Sequence, residues 1–206
     1  MKALILLVFF ANILCSQDNF EGVITYKRIS DTQNIAFEKY YIKGQKIKLL
    51  SEFHNPEGMR DYVRFYDFDK HPNKVFKQDP ETAIYEWKAM KAPQLDSIVY
   101  NGIEEDIMDH PCKKYVVYHT PHIVFQSESA TKQEIWVSDE YEFKVENTVN
   151  AAPYMINLFV EGISLKMKEY STNSLFNGYS YTRELIDISE MVLDERIFDL
   201  SQYEDK

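Results

Sequence analysis

Few side chains in this sequence are spaced for chemistry. "HTPH" sets His119 and His122 three apart around Pro121. On a strand such positions face opposite sides, so the two imidazoles would meet at one metal only if Pro121 turned the chain. The nearest third ligand, His110, lies beyond a strand, and loop histidines are the expectation. "EEDIMD" gathers carboxylates at Glu104, Glu105, Asp106 and Asp109. A calcium loop would interleave its ligands with a glycine at the sharp turn. Here Ile107 and Met108 stand among the acids, and a solvated acidic loop is expected. Paired carboxylates could hydrolyse a glycosidic bond at the right separation, but no cleft-forming motif accompanies these. Cys112, in "DHPCKKYVV", runs into a strand and reads as a buried, inert thiol rather than a nucleophile. The patterns G-x-S-x-G, H-E-x-x-H and the P-loop do not occur. No catalytic residue, metal ligand or cofactor is assigned, and a non-enzymatic role is expected, with a hydrolase ranked last.

The elements that would position any site are strands. Period-2 alternation runs through 22–29, 36–42, 45–53, 61–69, 74–78, 83–90, 97–103, 113–120, 132–138, 143–149, 163–171 and 179–189. Lys43-Gly44 and "NPEG" at 55–58 mark tight breaks. Short turns between consecutive strands favour antiparallel meanders, because parallel pairing needs a crossover of about a dozen residues or more. Ten or more strands with hardly any helix predict a large curved sheet, a sandwich or a barrel. Several strands are apolar on both faces: Tyr62, Tyr66 and Phe68 alternate with Val63 and Phe65, and Tyr85 and Trp87 oppose Ile84 and Met90. Both faces must therefore be covered. Residues 150–162 break the alternation and suit a short helix or plug. The tail is expected to dock through Ile197, Phe198 and Leu200.

The N-terminus bears on location. Lys2 precedes an apolar run from Ala3 to Leu14, which is of signal-peptide length and too short to span a bilayer, a task needing about 20 residues. Cleavage after Ser16 would leave one β-rich domain, 17–206, exported to the periplasm or secreted. Lipid anchoring through Cys15 is the weaker alternative, because Leu14 is bulky where a lipobox needs a small residue. Cys112 would then be the sole cysteine, so no disulfide forms within a monomer. The net charge of −10 at pH 7 argues against nucleic-acid and anionic-membrane binding. No second long apolar run follows, so no transmembrane span is expected in the mature chain, which is expected to be monomeric.

The strands beginning "FEGVITYK" (20–27), "CKKYVV" (112–117), "EIWVS" (134–138) and "GISLK" (162–166), closed by "IFDLSQY" (197–203), resemble small exported domains of Gram-negative bacteria of the GLPGLI type. "NLFVEGISLK" occupies the place of the GLPGLI peptide itself. The sheets of such domains are similar to the half-barrel of periplasmic lipoprotein carriers such as LolA. The resemblance implies a concave antiparallel sheet with a short helical lid, and it carries no catalytic residue.

The composition has 15 Tyr, 13 Phe and 2 Trp, and a concave face left partly open would make an apolar pocket of such residues. The alternation nominates Tyr26, Tyr66, Phe68, Tyr85, Trp87, Trp136, Leu165 and Met167 as its lining, with Tyr154, Leu158 and Phe159 in the lid. The expected function is an exported protein holding a hydrophobic ligand, a lipid or lipoprotein acyl chains, in a concave β-sheet. The alternative is a cell-envelope interaction module whose sheet is fully packed and whose edge strand pairs with an envelope protein.

Overall fold

In a computed structural model, the structure describes residues 19–31, 34–55, 58–71, 74–78, 84–87, 95–119, 122–124, 127–129, 131–143, 160–171 and 179–201. The strands are β1 (Glu21–Ser30), β2 (Ile35–Lys43), β3 (Lys46–Asn55), β4 (Gly58–Asp67), β5 (Val75–Gln78), β6 (Tyr85–Trp87), β7 (Leu95–Ile107), β8 (His110–His119), β9 (His122–Val124), β10 (Ser127–Ser129), β11 (Thr131–Ser138), β12 (Ile163–Ser171) and β13 (Tyr179–Glu190). Eleven of them form one antiparallel sheet in the order β6-β5-β4-β3-β2-β1-β13-β12-β11-β8-β7, and β9 and β10 form a separate hairpin. The chain thus lays down one meander from the middle out to the β6 edge, resumes at the β7 edge and returns as a second meander to the middle, where β1 and β13 pair.

The expected strands and turns recur, and the exceptions have physical reasons. Gly44, at φ +54, closes β2 onto β3. The acidic run is not a loop. Glu104 to Ile107 finish β7, pairing with Lys113 to His110, and Met108 and Asp109, at φ 52 and 68, make the two-residue turn. Two left-handed residues match the twist of a tight hairpin, so the carboxylates stay solvated on a strand rather than in a loop. Phe143 lies outside any strand, and its carbonyl accepts from the Gly162 amide. The rest of 143–149, like the expected plug at 150–159, lies outside the described residues. Gly162, at φ +111, is required twice over, since a Cβ there would also strike the Ser138 carbonyl oxygen.

An eleven-stranded sheet laid flat would separate β6 from β7 by about 48 Å at about 4.8 Å per strand. The chain joins the two edges between Trp87 and Leu95, a stretch that reaches about 28 Å when fully extended. The sheet must curl. Tyr26 on β1 and Cys112 on β8, four places apart in the strand order, belong to one cluster of buried residues. The sheet is therefore curved and unclosed, with β6 and β7 at its two edges among the described residues.

Its inner surface in the first meander is set by rows of residues abreast: Gly22, Ile42, Ile47 and Tyr66, then Ile24, Tyr40 and Leu49. The opposite face is covered by the C-terminal segment. Leu193, Ile197 and Phe198, around a 3-10 turn at Glu195–Phe198, pack on Val23 and Tyr41. Leu200 packs with Phe65, Phe76 and Ile84. This tail answers the demand made by strands that are apolar on both sides. Among the described residues no helix is long and apolar enough to cross a membrane.

Candidate functional site

Tyr26, Tyr66, Phe68, Trp136 and Leu165 fall in one cluster of buried residues, together with Val75, Tyr40 and Cys112. It reaches from β5 almost to the far edge of the sheet. Met167 belongs to a second cluster with Val117, Ile135, Val137 and Tyr181. Tyr85 and Trp87 lie on β6, paired with Lys77 and Val75. Tyr154, Leu158 and Phe159 lie outside the described residues. The six whose side chains are described are all closed off from solvent, Met167 being the most exposed of them at 6%.

Trp136 differs from the other five. Its Nε1 donates to Oε2 of Glu105 at 2.8 Å. The ammonium groups of Lys114 and Lys166 lie 4.6 and 5.0 Å from its ring centroid. The indole is a cation–π and hydrogen-bond hub that ties β11 to β7, β8 and β12.

A buried polar row that the apolar alternation hid runs through the same region. Glu38, 2% exposed, is held by Arg183 Nε at 2.8 Å and by the Tyr40 hydroxyl, which donates at 3.0 Å. Arg28 Nη1 lies 3.8 Å from its other oxygen. Glu169, with no exposed surface, accepts from Gln133 Nε2 at 2.6 Å and the Tyr181 hydroxyl at 3.0 Å. Arg28 sits 4.1 Å over the Tyr181 ring. The Tyr26 hydroxyl donates to the Ser164 carbonyl at 2.7 Å, across the intervening β13.

Burial raises the pKa of Tyr26, Tyr40, Tyr66 and Tyr181 above the ordinary phenol range, so all four stay protonated. Burial opposes the Arg183 charge, but Glu38 together with Tyr40, Tyr181 and Tyr26 more than offsets this and the guanidinium remains protonated. The row holds charge in place. A sequence signal for it existed: Glu38 is in phase with Ala36, Tyr40 and Ile42, as Glu169 is with Leu165 and Met167.

A cavity of about 230 Å³ lies at the β7–β8 end of the apolar cluster, lined by Glu104, Glu105, Asp106, Pro111, Cys112, Lys113 and Asp139. Cys112 is 2% exposed, and burial pushes its thiol up to about 11, which suits an inert cysteine. His119 is buried at the end of β8 and His122 begins β9. Among the described residues no group of three or more histidine, cysteine or acidic side chains is arranged to hold a metal.

No protein-family model matches the chain, and no curated protein matches it. Among solved structures, PNGF-II in space group C2 overlaps with a TM-score of 0.47 at 16% identity, over 89% of this chain and 29% of that one. PNGF-II in space group P21 gives 0.40 at 13% identity, over 86% and 30%. The LolA superfamily protein NE2245 from Nitrosomonas europaea gives 0.35 at 13% identity, over 89% and 91%. This chain thus spans less than a third of the PNGF-II chains and nearly the whole of the LolA superfamily protein.

Proposed function

We propose that this chain is an exported, non-enzymatic binding protein that holds a hydrophobic ligand, such as a lipid or the acyl chains of a lipoprotein, against the inner surface of its curled sheet. The supporting observation is the apolar cluster that runs from Val75 on β5 to Cys112 on β8 along a sheet that does not close. Burying an acyl chain there would contribute about 0.8 kcal/mol per CH₂, less the cost of displacing the side chains now in contact. Tyr26, Tyr66, Phe68, Leu165 and Met167 are the contacts this reading assigns, with Tyr85, Trp87, Tyr154, Leu158 and Phe159 completing the enclosure. The leader 1–16 would direct export, and Cys15 would leave with it.

One observation favours a second reading, a fully packed envelope module. The described lining residues are nearly inaccessible, and the cavity lies at the acidic rim rather than among them. Native mass spectrometry of protein purified from the periplasm separates the two. Lipid released from the intact protein, and uptake of a fluorescent fatty acid that Met167→Asp weakens, support the carrier. Protein that is empty in every preparation and takes up no fatty acid overturns it. The same spectrum tests export, since a chain starting at Gln17 without acyl additions is expected.

A further inference from the structure

One edge of the sheet is left open in a way the binding proposal does not use. β7 ends the strand order, and among the described residues no strand pairs with its outer side. Most of its thirteen residues are exposed, including Leu95, Val99, Tyr100 and Ile103, each above 40%. Proteins normally protect such an edge, because its free amide and carbonyl groups are a template for another strand. Here the protection is partial. A register shift between Tyr100 and Glu104, with Gly102 at φ +75, interrupts the strand and leaves the runs 97–100 and 104–107 on either side of it.

The charges on this edge select what may pair with it. Glu104, Glu105 and Asp106 line the 230 Å³ cavity, with Asp139 across from them. Lys113, the cation among them, is already held by Asp139 at 2.6 Å. Two copies of β7 laid antiparallel about Asn101 would set Asp106 against Asp96 at both ends of the ladder, between chains that each carry −10. The edge therefore disfavours its own copy and favours a basic one.

We propose that β7 is a docking edge for an extended segment of another protein in which apolar and basic residues alternate. Backbone pairing along 97–100 provides the affinity. Apolar side chains lie on the face that carries Val99, and a lysine or arginine on the opposite face, shared by Tyr100, Glu104 and Asp106, enters the cavity at Glu104 and Asp106. Affinity from main-chain pairing with selectivity from alternate side chains is the general mode of strand addition.

The full chain would be titrated into a fluorescein-labelled peptide of alternating lysine and valine, with anisotropy as the readout. Saturable binding is expected that weakens with added salt. N-methylation of alternate peptide amides, which removes ladder donors, is expected to weaken it about tenfold or more, as is replacing each lysine by glutamate. The double variant Glu104→Lys/Asp106→Lys should lose the lysine peptide and gain the glutamate one while melting at the same temperature as the parent. Equal binding of the N-methylated or glutamate peptide by the parent overturns the proposal. So does an absence of binding by folded protein, or sedimentation showing that the parent dimerises through this edge. Lipid content has no part in these readouts, so the proposal stands or fails apart from the carrier reading.

Discussion

Replacing Arg183 by methionine would strand the Glu38 carboxylate at a place where only 3% of its side chain reaches solvent. The Tyr40 hydroxyl at 3.0 Å and the more distant Arg28 would remain, the latter at 3.8 Å and 30% exposed. Removing one partner of a buried pair costs about 3–5 kcal/mol, because the other charge is left uncompensated. That is a large part of the roughly 5–15 kcal/mol that stabilises a typical domain. Glu38→Leu should cost a similar amount by removing the carboxylate beside the buried Arg183 guanidinium. Replacing both at once removes both charges from the interior, and apolar replacements of buried pairs are often close to neutral. The double variant Glu38→Leu/Arg183→Met should therefore lie within about 2 kcal/mol of the parent, far above what two independent losses would leave. Urea denaturation followed by tryptophan fluorescence measures all four proteins, and unchanged m-values confirm that midpoints report stability. If a single variant does not fold while the double does, the coupling is displayed directly. Single losses that add within about 0.5 kcal/mol would refute the reasoning, because they would mean that the two charges do not sense each other.

Three further outcomes follow from other places in the fold. Gly162→Ala would force a side chain into a φ of +111 and against the Ser138 carbonyl, so a loss of about 1–3 kcal/mol in urea denaturation is expected, and a neutral result would contradict the placement of this turn. Cys112, whose thiol burial raises to about 11, should resist Ellman's reagent in the native protein at pH 8 and react fully in guanidinium. Rapid native labelling would show the thiol to be accessible. Asp194 is held down from 3.8 to about 2 by hydrogen bonds from the Arg196 side chain and backbone amide. A depressed carboxylate contributes above its ordinary value and is lost as pH falls through the folded one. Its carboxyl carbon should titrate near pH 2 by NMR, and Arg196→Ala should move that titration upward.

The strand pattern was legible because alternation and turn residues are local. β12 matches "ISLKMKEYS" residue for residue, and the Lys43-Gly44 break is the β2–β3 hairpin. The acidic run was misread as a loop because carboxylates are poor strand formers, and only pairing with His110 to Lys113 reveals the strand. Strand order was out of reach, since nothing local says that β1 neighbours β13 rather than closing on another edge. The nominated aromatics whose side chains are described, Tyr26, Tyr66, Phe68 and Trp136, are buried, but Trp136 also has Lys114 and Lys166 from neighbouring strands against its ring. Glu38 and Arg183 could be flagged from phase. Their pairing could not, because they meet only when residues far apart in sequence become neighbours across β1.

The bond from Tyr26 to Ser164 spans 138 residues, and β1 waits for β13, far along the chain, before its second side is paired. During synthesis the β1–β6 half can form while that side still lacks its partner, and the join must await emergence of β13 from the ribosome. So late a long-range closure is slow, and for its duration it leaves a row of free amides that other nascent chains could capture. Delaying the fold until the chain is complete, by a holding chaperone or by passage unfolded across a membrane, would protect this protein at its most vulnerable moment. C-terminal truncations that remove β13 should for that reason aggregate rather than yield a stable half-sheet.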